Sequence, residues 1–300
     1  MLVVFGSINL DLIFPLQTLP TQGDTVFAGQ VRIEPGGRGA NQAVAAARDG
    51  ARVLMAGAVG RDVFAEEALA GLRRAGVDLG RVLQLASHTG CAAICRDKGS
   101  GRMVVAGSGA NMRARASQVE DRVLGPLTTF LCQRETDPAE TATLVRRAKA
   151  RGARVIINLA PPAAIPHDAM RAADLVVVNK AEGSWLGTHL GTAVNAPSLR
   201  AALGVDVVRT MGAEGSELAT ASGYHRIPEL PVKPADTSGA GDCFVGVLAA
   251  ALDRGLALLP ALHRATVAAG VCCTRTGNQN TYPSAGEIDV ELKHYRPERK

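Results

Sequence analysis

From about residue 114 onward, short apolar runs alternate with helical stretches, and this rhythm limits the possible folds more than any other feature of the chain. Strands are expected at Phe130–Gln133, Val155–Asn158, Leu175–Val178 and Val205–Thr210, with helices over 137–151, 180–189 and 197–203. The first third behaves similarly. Leu2–Ser7 is a short apolar strand ending in small residues, Arg52–Gly60 a second one, and Val63–Ala75 an amphipathic helix. Two Ala-rich helices, 240–253 and 258–273, close the core. Repeated β-α alternation specifies an α/β fold with a mostly parallel central sheet covered by helices on both faces. Ligands in such folds bind at the carboxyl ends of the strands. Polar residues follow the apolar runs at such ends: Asn9, Glu135, Asn179, Glu182, Thr210 and Asp236.

Two stretches do not fit the alternation. Ile8–Ile13 alternates with period two, which puts Asn9 and Asp11 on one face. Residues 15–35 carry Pro15, Pro20, Gly23, Gly29 and Pro35 between short β-like runs, as in a small irregular sheet. Ala92–Cys95 and Met103–Ala106 flank the polar turn Arg96–Arg102 and form a hairpin. Together these pieces predict a small β-sheet lid, from segments about 12–35 and 88–108, on a single α/β domain spanning 1–300. A further hairpin is expected from Gly215–Ala221 and Tyr224–Pro228.

Chemistry concentrates in the stretch Pro234–Phe244, which reads Pro-Ala-Asp-Thr-Ser-Gly-Ala-Gly-Asp-Cys-Phe. Thr237 or Ser238 can cap the helix that follows. Its first turn carries almost no side-chain bulk, so its N–H groups are open to an anion, and phosphate is the common guest there. Asp242 in that turn is a poor phosphate ligand but a sensible acceptor for the proton of an attacking hydroxyl. A tight turn with Asp242 as a helix-start charge uses the same residues. A second glycine cluster, Gly36-Gly37-Arg38-Gly39, leads into another Ala-rich helix with Asn41 on its first turn. Asn is an odd choice there unless it holds something. The glycines also fit a tight loop, and Asn9 and Asp11 also fit turn caps.

Composition narrows the class. Aromatic residues are only 3% of the chain, against stacking-based nucleic-acid binding. The net charge of +5 is scattered, with basic pairs such as Arg73-Arg74 and no long run. No nucleic-acid partner is expected. The six cysteines lie mostly in apolar runs without paired Cys-x-x-Cys spacing, which points to a reducing cytoplasm. No signal peptide fits the opening strand, and no apolar run reaches the roughly 20 residues of a membrane span.

Taken together, the motifs resemble those of the ribokinase family of sugar kinases, the PfkB family, from about residue 2 to 290. The N-terminal signature stands as Gly36-Gly37-Arg38-Gly39-Ala40-Asn41-Gln42-Ala43, and the C-terminal one as Asp236 to Phe244. Between them, Asn179-Lys180-Ala181-Glu182 matches the family's Asn-x-x-Glu, and Thr210 to Gly215 its nucleotide-phosphate turn. The motifs sit nearest the ribokinases within the family. The sequence departs in having Arg38 where Lys is usual, Asn158-Leu159-Ala160-Pro161-Pro162 for Asn-Pro-Ala-Pro, and Asn280 for a Pro.

The resemblance implies an ATP-dependent phosphotransferase acting on the hydroxymethyl group of a small sugar, D-ribose first, to give ribose 5-phosphate. A nucleoside kinase, or a fructose-type or ketodeoxygluconate-type kinase, is the alternative. A sugar-binding protein that has lost catalysis is disfavoured by Asp242 with its intact Gly-Ala-Gly. Asp242 would be the base, with Gly239, Ala240 and Gly241 as the anion hole. Asn9, Asp11, Gly37, Arg38, Asn41 and Glu135 would bind the sugar. Asn179, Glu182, Thr210, Gly212, Gly215, Gly241 and Thr266 would line the ATP site, with Mg²⁺ held largely through water by Asn179 and Glu182. Asp236, Ser238, Cys272, Arg275, Gly277 and Thr281 would form a K⁺ site. Pairing of two lids in a homodimer is also implied.

Overall fold

The computed structural model describes residues 1–99 and 101–297. Its strands are β1 (Leu2–Phe5), β2 (Asn9–Pro15), β3 (Arg32–Gly36), β4 (Val53–Gly60), β5 (Asp78–Leu85), β6 (Gly90–Arg96), β7 (Arg102–Gly107), β8 (Thr129–Cys132), β9 (Arg154–Asn158), β10 (Leu175–Val178), β11 (Asp206–Thr210), β12 (Ser216–Thr220) and β13 (Gly223–Ile227). Its helices are α1 (Arg38–Arg48), α2 (Val63–Arg74), α3 (Pro138–Ala150), α4 (His167–Arg171), α5 (Lys180–Leu190), α6 (Ala196–Leu203), α7 (Ala240–Asp253), α8 (Leu258–Cys273) and α9 (Ala285–Leu292).

Nine strands form the central sheet in the order β13-β12-β11-β10-β9-β8-β1-β4-β5. Strands β5 through β11 in that order pair in parallel, and only β12 and β13 add antiparallel edges. Side-chain alternation divides the core. Leu2 and Val4 of β1 face the layer that holds α1, α2, α7, α8 and α9. Val3 and Phe5 face the layer of α3 to α6. Both faces are therefore covered, and the strands read as unbroken apolar runs, as parallel sheets require. No described helix is long and apolar enough to cross a membrane.

The lid is a separate four-stranded sheet, ordered β3-β2-β6-β7. It begins earlier than the sequence indicates, since Asn9 and Asp11 already pair with Gly36 and Glu34 of β3 and with Gly90 and Ala92 of β6. Residues 16–31 form no strand, because proline and glycine interrupt any run long enough to pair. The edge strand β5 and the short helices α4 and α9 have weak periodicity and are not foreseen from the sequence.

The helices α1 and α7 meet at unusually close range. A Cβ on Gly246 would stand 2.3 Å from the Gln42 carbonyl oxygen, so only glycine lets the two backbones approach this far. The far end of the pair is tied by Asp49, whose buried carboxylate accepts from Arg264 Nε at 2.8 Å and Arg254 Nη2 at 2.6 Å. A buried carboxylate is tolerable only when so paired.

Candidate active site

The first turn of α7 carries the central group. Its N-cap is Gly239, with φ of +70° and no side-chain cap, so the expected Thr237 or Ser238 cap is not the one used. A left-handed cap is natural for glycine. It leaves the following amides without a competing side-chain acceptor, and nothing lies within 4 Å of the side-chain direction of Gly241. Ser238 is turned the other way, its amide donating to Asp236 Oδ1 at 2.9 Å.

Asp242 is 8% exposed and held on both oxygens. Asn41 Nδ2 donates to Oδ2 at 2.9 Å, and Gln42 Nε2 donates to Oδ1 at 2.9 Å. Gln42 also donates to Asn158 Oδ1 at 2.9 Å and accepts from Gln133 Nε2 at 2.7 Å. A relay of amides thus runs from the end of β8 through α1 to the carboxylate. The Asn41 carbonyl is itself engaged by Gln279 Nε2 at 2.9 Å, so both polar ends of Asn41 are spent within the protein. Gln42 was not singled out from the sequence; its place beside Asn41 in the first turn of α1 is the only signal.

A second acidic group lies near. Asp11 is 8% exposed, and burial together with repulsion from Glu135 and Asp242 pushes its carboxyl up to about 7. Asn9 Oδ1 accepts from Asn111 Nδ2 at 2.7 Å, while Asn111 Oδ1 accepts from the Ile8 amide at 2.9 Å. Asn111 is a buried orienting residue that the sequence alone does not reveal. Glu135 Oε2 accepts from Ser7 Oγ at 2.5 Å and from the Arg38 amide at 3.1 Å. The Arg38 side chain bridges the carboxylates, with Nε 3.3 Å from Glu135 and Nη1 3.9 Å from Asp242. It emerges just after Gly37, whose φ of +87° turns the chain into α1.

The remaining expected residues, Thr266 apart, fall at or just after the ends of β10 and β11. Asn179 and Glu182 form a reciprocal cap at the start of α5, with Glu182 Oε2 accepting the Asn179 amide at 2.7 Å. Burial raises the Glu182 carboxyl above its ordinary value, opposed by that hydrogen bond. Thr210 ends β11, and Gly212 and Gly215 follow with positive φ. Thr266 lies within α8, its hydroxyl buried and without a hydrogen-bond partner among the described residues.

Residues 1–285 match the family described as pfkB family carbohydrate kinase. The chain belongs to this family. It is 31% identical to the ribokinase of Bacillus subtilis over 293 residues, covering 96% of this chain and 98% of that protein. Its fold superposes on the crystal structure of ribokinase from Thermotoga maritima with a TM-score of 0.88, 26% identity, and coverage of 97% and 99%. For the Arabidopsis thaliana ribokinase complexed with ribose and ATP the TM-score is 0.86 at 26% identity, with coverage of 98% and 99%.

An ATP-dependent kinase of this family takes a divalent metal with its nucleotide. Mg²⁺ carried on phosphates keeps most of its water and needs one or two protein carboxylates. The absence of any three-residue metal cluster among the described residues is compatible with that demand. The side chains of Asn179 and Glu182 are turned onto each other in the cap of α5, Glu182 Oε1 accepting from Asn179 Nδ2 at 2.8 Å.

The six residues expected to bind K⁺ do converge, and the Asp236 carboxylate and the Ser238 and Thr281 hydroxyls among them already have partners. Asp236 Oδ1 and Oδ2 lie 3.1 and 3.2 Å from Arg96 Nη1, and Arg96 Nη2 bonds to Ser238 Oγ. Gly277 N approaches Asp236 Oδ2 at 3.4 Å. The Thr281 hydroxyl donates to the Asn278 carbonyl at 2.6 Å and touches Cys272 Sγ at 3.1 Å. Arg275 Nη1 donates to the Thr281 carbonyl at 3.2 Å. Asp236 is thus not an unpaired carboxylate: its partner is Arg96, from lid strand β6. As arranged, the Asp236 carboxylate already faces a guanidinium, which a potassium ion would have to displace or crowd.

Proposed function

We propose that this chain is an ATP-dependent kinase that phosphorylates the hydroxymethyl group of a small furanose, with D-ribose as the first candidate and ribose 5-phosphate as its product. One observation carries the reading: a buried carboxylate, Asp242, is held on both oxygens at the open N-terminus of α7, beside a second cluster of sugar-type ligands. The names of the similar proteins, ribokinases of Bacillus subtilis and Thermotoga maritima, support ribose as acceptor.

In this proposal Asn9, Asp11, Gly37, Arg38, Asn41 and Glu135 surround the sugar, some directly and Asn41 through Asp242. Asn179, Glu182, Thr210, Gly212, Gly215 and Thr266 line the ATP site. Asp242 takes the proton of the hydroxymethyl group as its oxygen bonds to the γ-phosphorus and the bond from that phosphorus to the β-phosphate oxygen breaks, releasing ADP. The amides of Gly239, Ala240 and Gly241 stabilise charge on the transferring group without rearranging. When bound with ATP, Mg²⁺ offsets charge on the phosphates. Arg38 lies beside Glu135 and Asp242 and offsets part of the charge that these two carboxylates turn toward an incoming polyphosphate. The lid excludes water that would otherwise hydrolyse ATP.

Two further points belong to this reading. Ile33, Met103, Val104 and Val105 are exposed apolar residues on the lid, which supports a homodimer formed by pairing lids. All six cysteines are free thiols, which supports a reducing compartment such as the cytoplasm. A ketodeoxygluconate-type acceptor is the second reading. Arg102 favours it, because its guanidinium lies in the field of the Asp11 and Asp242 carboxylates while it has no ion-pair partner among the described residues. The test is a coupled ADP-release assay over ribose, deoxyribose, fructose, ketodeoxygluconate and nucleosides. Ribose should give the highest kcat/KM; the acidic sugar in first place would replace ribose, and no turnover of any acceptor would end the kinase reading.

A further inference from the structure

Asp236 stands just before the phosphate-binding amides of α7, where an uncompensated negative charge would oppose an incoming polyphosphate. Its side chain is 11% exposed, and that of Arg96 is 27% exposed. The Arg96 guanidinium spans both Asp236 and Ser238, so it grips the two residues that set the entry of the Thr237–Gly241 turn. A guanidinium is weakly hydrated, singly charged and planar, and can satisfy a carboxylate and a hydroxyl together. Arg96 faces Arg102 across the β6–β7 hairpin, and both line a cavity of about 480 Å³ with Arg32, Asp97 and the segment Pro234–Ser238. An additional cation at Asp236 would have to enter beside these arginines.

We propose that Arg96 is a tethered counter-cation: its guanidinium fills the charge-balancing place at Asp236 that a monovalent metal ion would take, making the chain independent of potassium. This role rests on the kinase reading above. Because Arg96 belongs to lid strand β6 and Asp236 to the entry of α7, the proposal also makes charge balance conditional on the lid lying over the site. The open lid leaves Asp236 uncompensated, and closure restores the turn in its anion-accepting form.

The test compares wild type, Arg96→Ala and Arg96→Gln in KCl, NaCl and tetramethylammonium chloride at equal ionic strength, with ribose and Mg·ATP. Wild-type rates should agree within about twofold across the salts. In tetramethylammonium both variants should lose about tenfold or more in kcat/KM for ATP, and K⁺ or added guanidinium should restore several-fold, as replacement of one charge-assisted contact allows. A structural role alone would lower rates without a selective salt response. Melting temperature supplies a readout independent of turnover: K⁺ should raise it over tetramethylammonium in Arg96→Ala and not in wild type. Several-fold K⁺ activation of the wild type, or variants with unchanged rates and melting in every salt, would overturn the proposal. If no sugar is turned over but the melting pattern holds, the kinase reading fails while the charge-balancing role stands.

Discussion

Asn41 Nδ2 lies 2.9 Å from Asp242 Oδ2, although 201 positions separate the two residues in the chain. The bond joins the first turns of α1 and α7, so the two glycine-rich signatures form one device. The first supplies donors that aim a carboxylate, and the second supplies the carboxylate and the open amides beside it. The contact exists because Gly246 lets the helices approach to a distance that any side chain would prevent.

Removing the base while keeping its shape isolates its chemistry. Asp242→Asn preserves most of the packing but cannot accept the hydroxyl proton. The expected outcome is a fall in kcat of about 10²–10⁴ with the apparent affinities for ATP and sugar within a few-fold of wild type. Steady-state kinetics checks it, and near-normal turnover would remove Asp242 from the base role.

Gln42 is a positioning residue, and its loss should register in two measurements. Gln42→Leu keeps the volume but takes a donor from Asp242 Oδ1 and Asn158 Oδ1 and an acceptor from Gln133 Nε2. Stranding buried amides should cost roughly 1–3 kcal/mol in denaturant unfolding. If Gln42 aims Asp242, kcat should also fall about tenfold with the sugar KM little changed. Lost stability with full kcat would leave it a packing role only.

The buried Asp11 carboxyl makes a pH signature. Its folded value, raised to about 7 from an ordinary 3.8, means that the unliganded folded state binds the proton more tightly than the unfolded chain does. Stability from this group is therefore fully present below pH about 4, declines as pH rises toward 7, and is lost above it, by at most roughly 4 kcal/mol. Asp11→Asn should remove that slope, melting higher than wild type at pH 8 with the gap narrowing through pH 5 and closing near pH 4. Equal pH slopes for the two proteins would show that the site is better solvated than its burial implies.

How much of this was legible in the sequence follows from how local each cause is. The alternation that yields β8 to β11 and the glycine clusters before α1 and α7 act over a few residues, so both could be read directly. Asn41 was marked as out of place in a helix start, and its contact with Asp242 explains why. Arg96 was invisible in the same sense: in sequence it is one charge at a hairpin end, and only the docking of the lid carries it to Asp236, 140 positions away. Asn111 and Gln42 were missed for the same reason, since their partners come from other elements. The cap of α7 was misassigned because Thr237 and Ser238 have capping chemistry, while the positive φ of Gly239 ends the loop before either can use it.

Sugar binding and nucleotide binding should separate at Asp11. The residue sits on β2, at the junction of lid and central sheet, and its carboxylate rests over Gly36 of β3. A Cβ at Gly36 would lie 2.2 Å from Asp11 Oδ2. Gly36→Ala must therefore displace the carboxylate without touching the α7 turn or the strand ends assigned to ATP. Asp11→Ala removes the carboxylate outright and should weaken sugar binding by about 1.5–3 kcal/mol, the range for a lost charge-assisted hydrogen bond. Gly36→Ala should reproduce part of that loss with Asp11 still present. Calorimetric titration of each variant, with sugar and separately with Mg·ATP, should show the change in the sugar isotherm alone. Weakened ATP binding with an unchanged sugar isotherm would move Asp11 out of the sugar site.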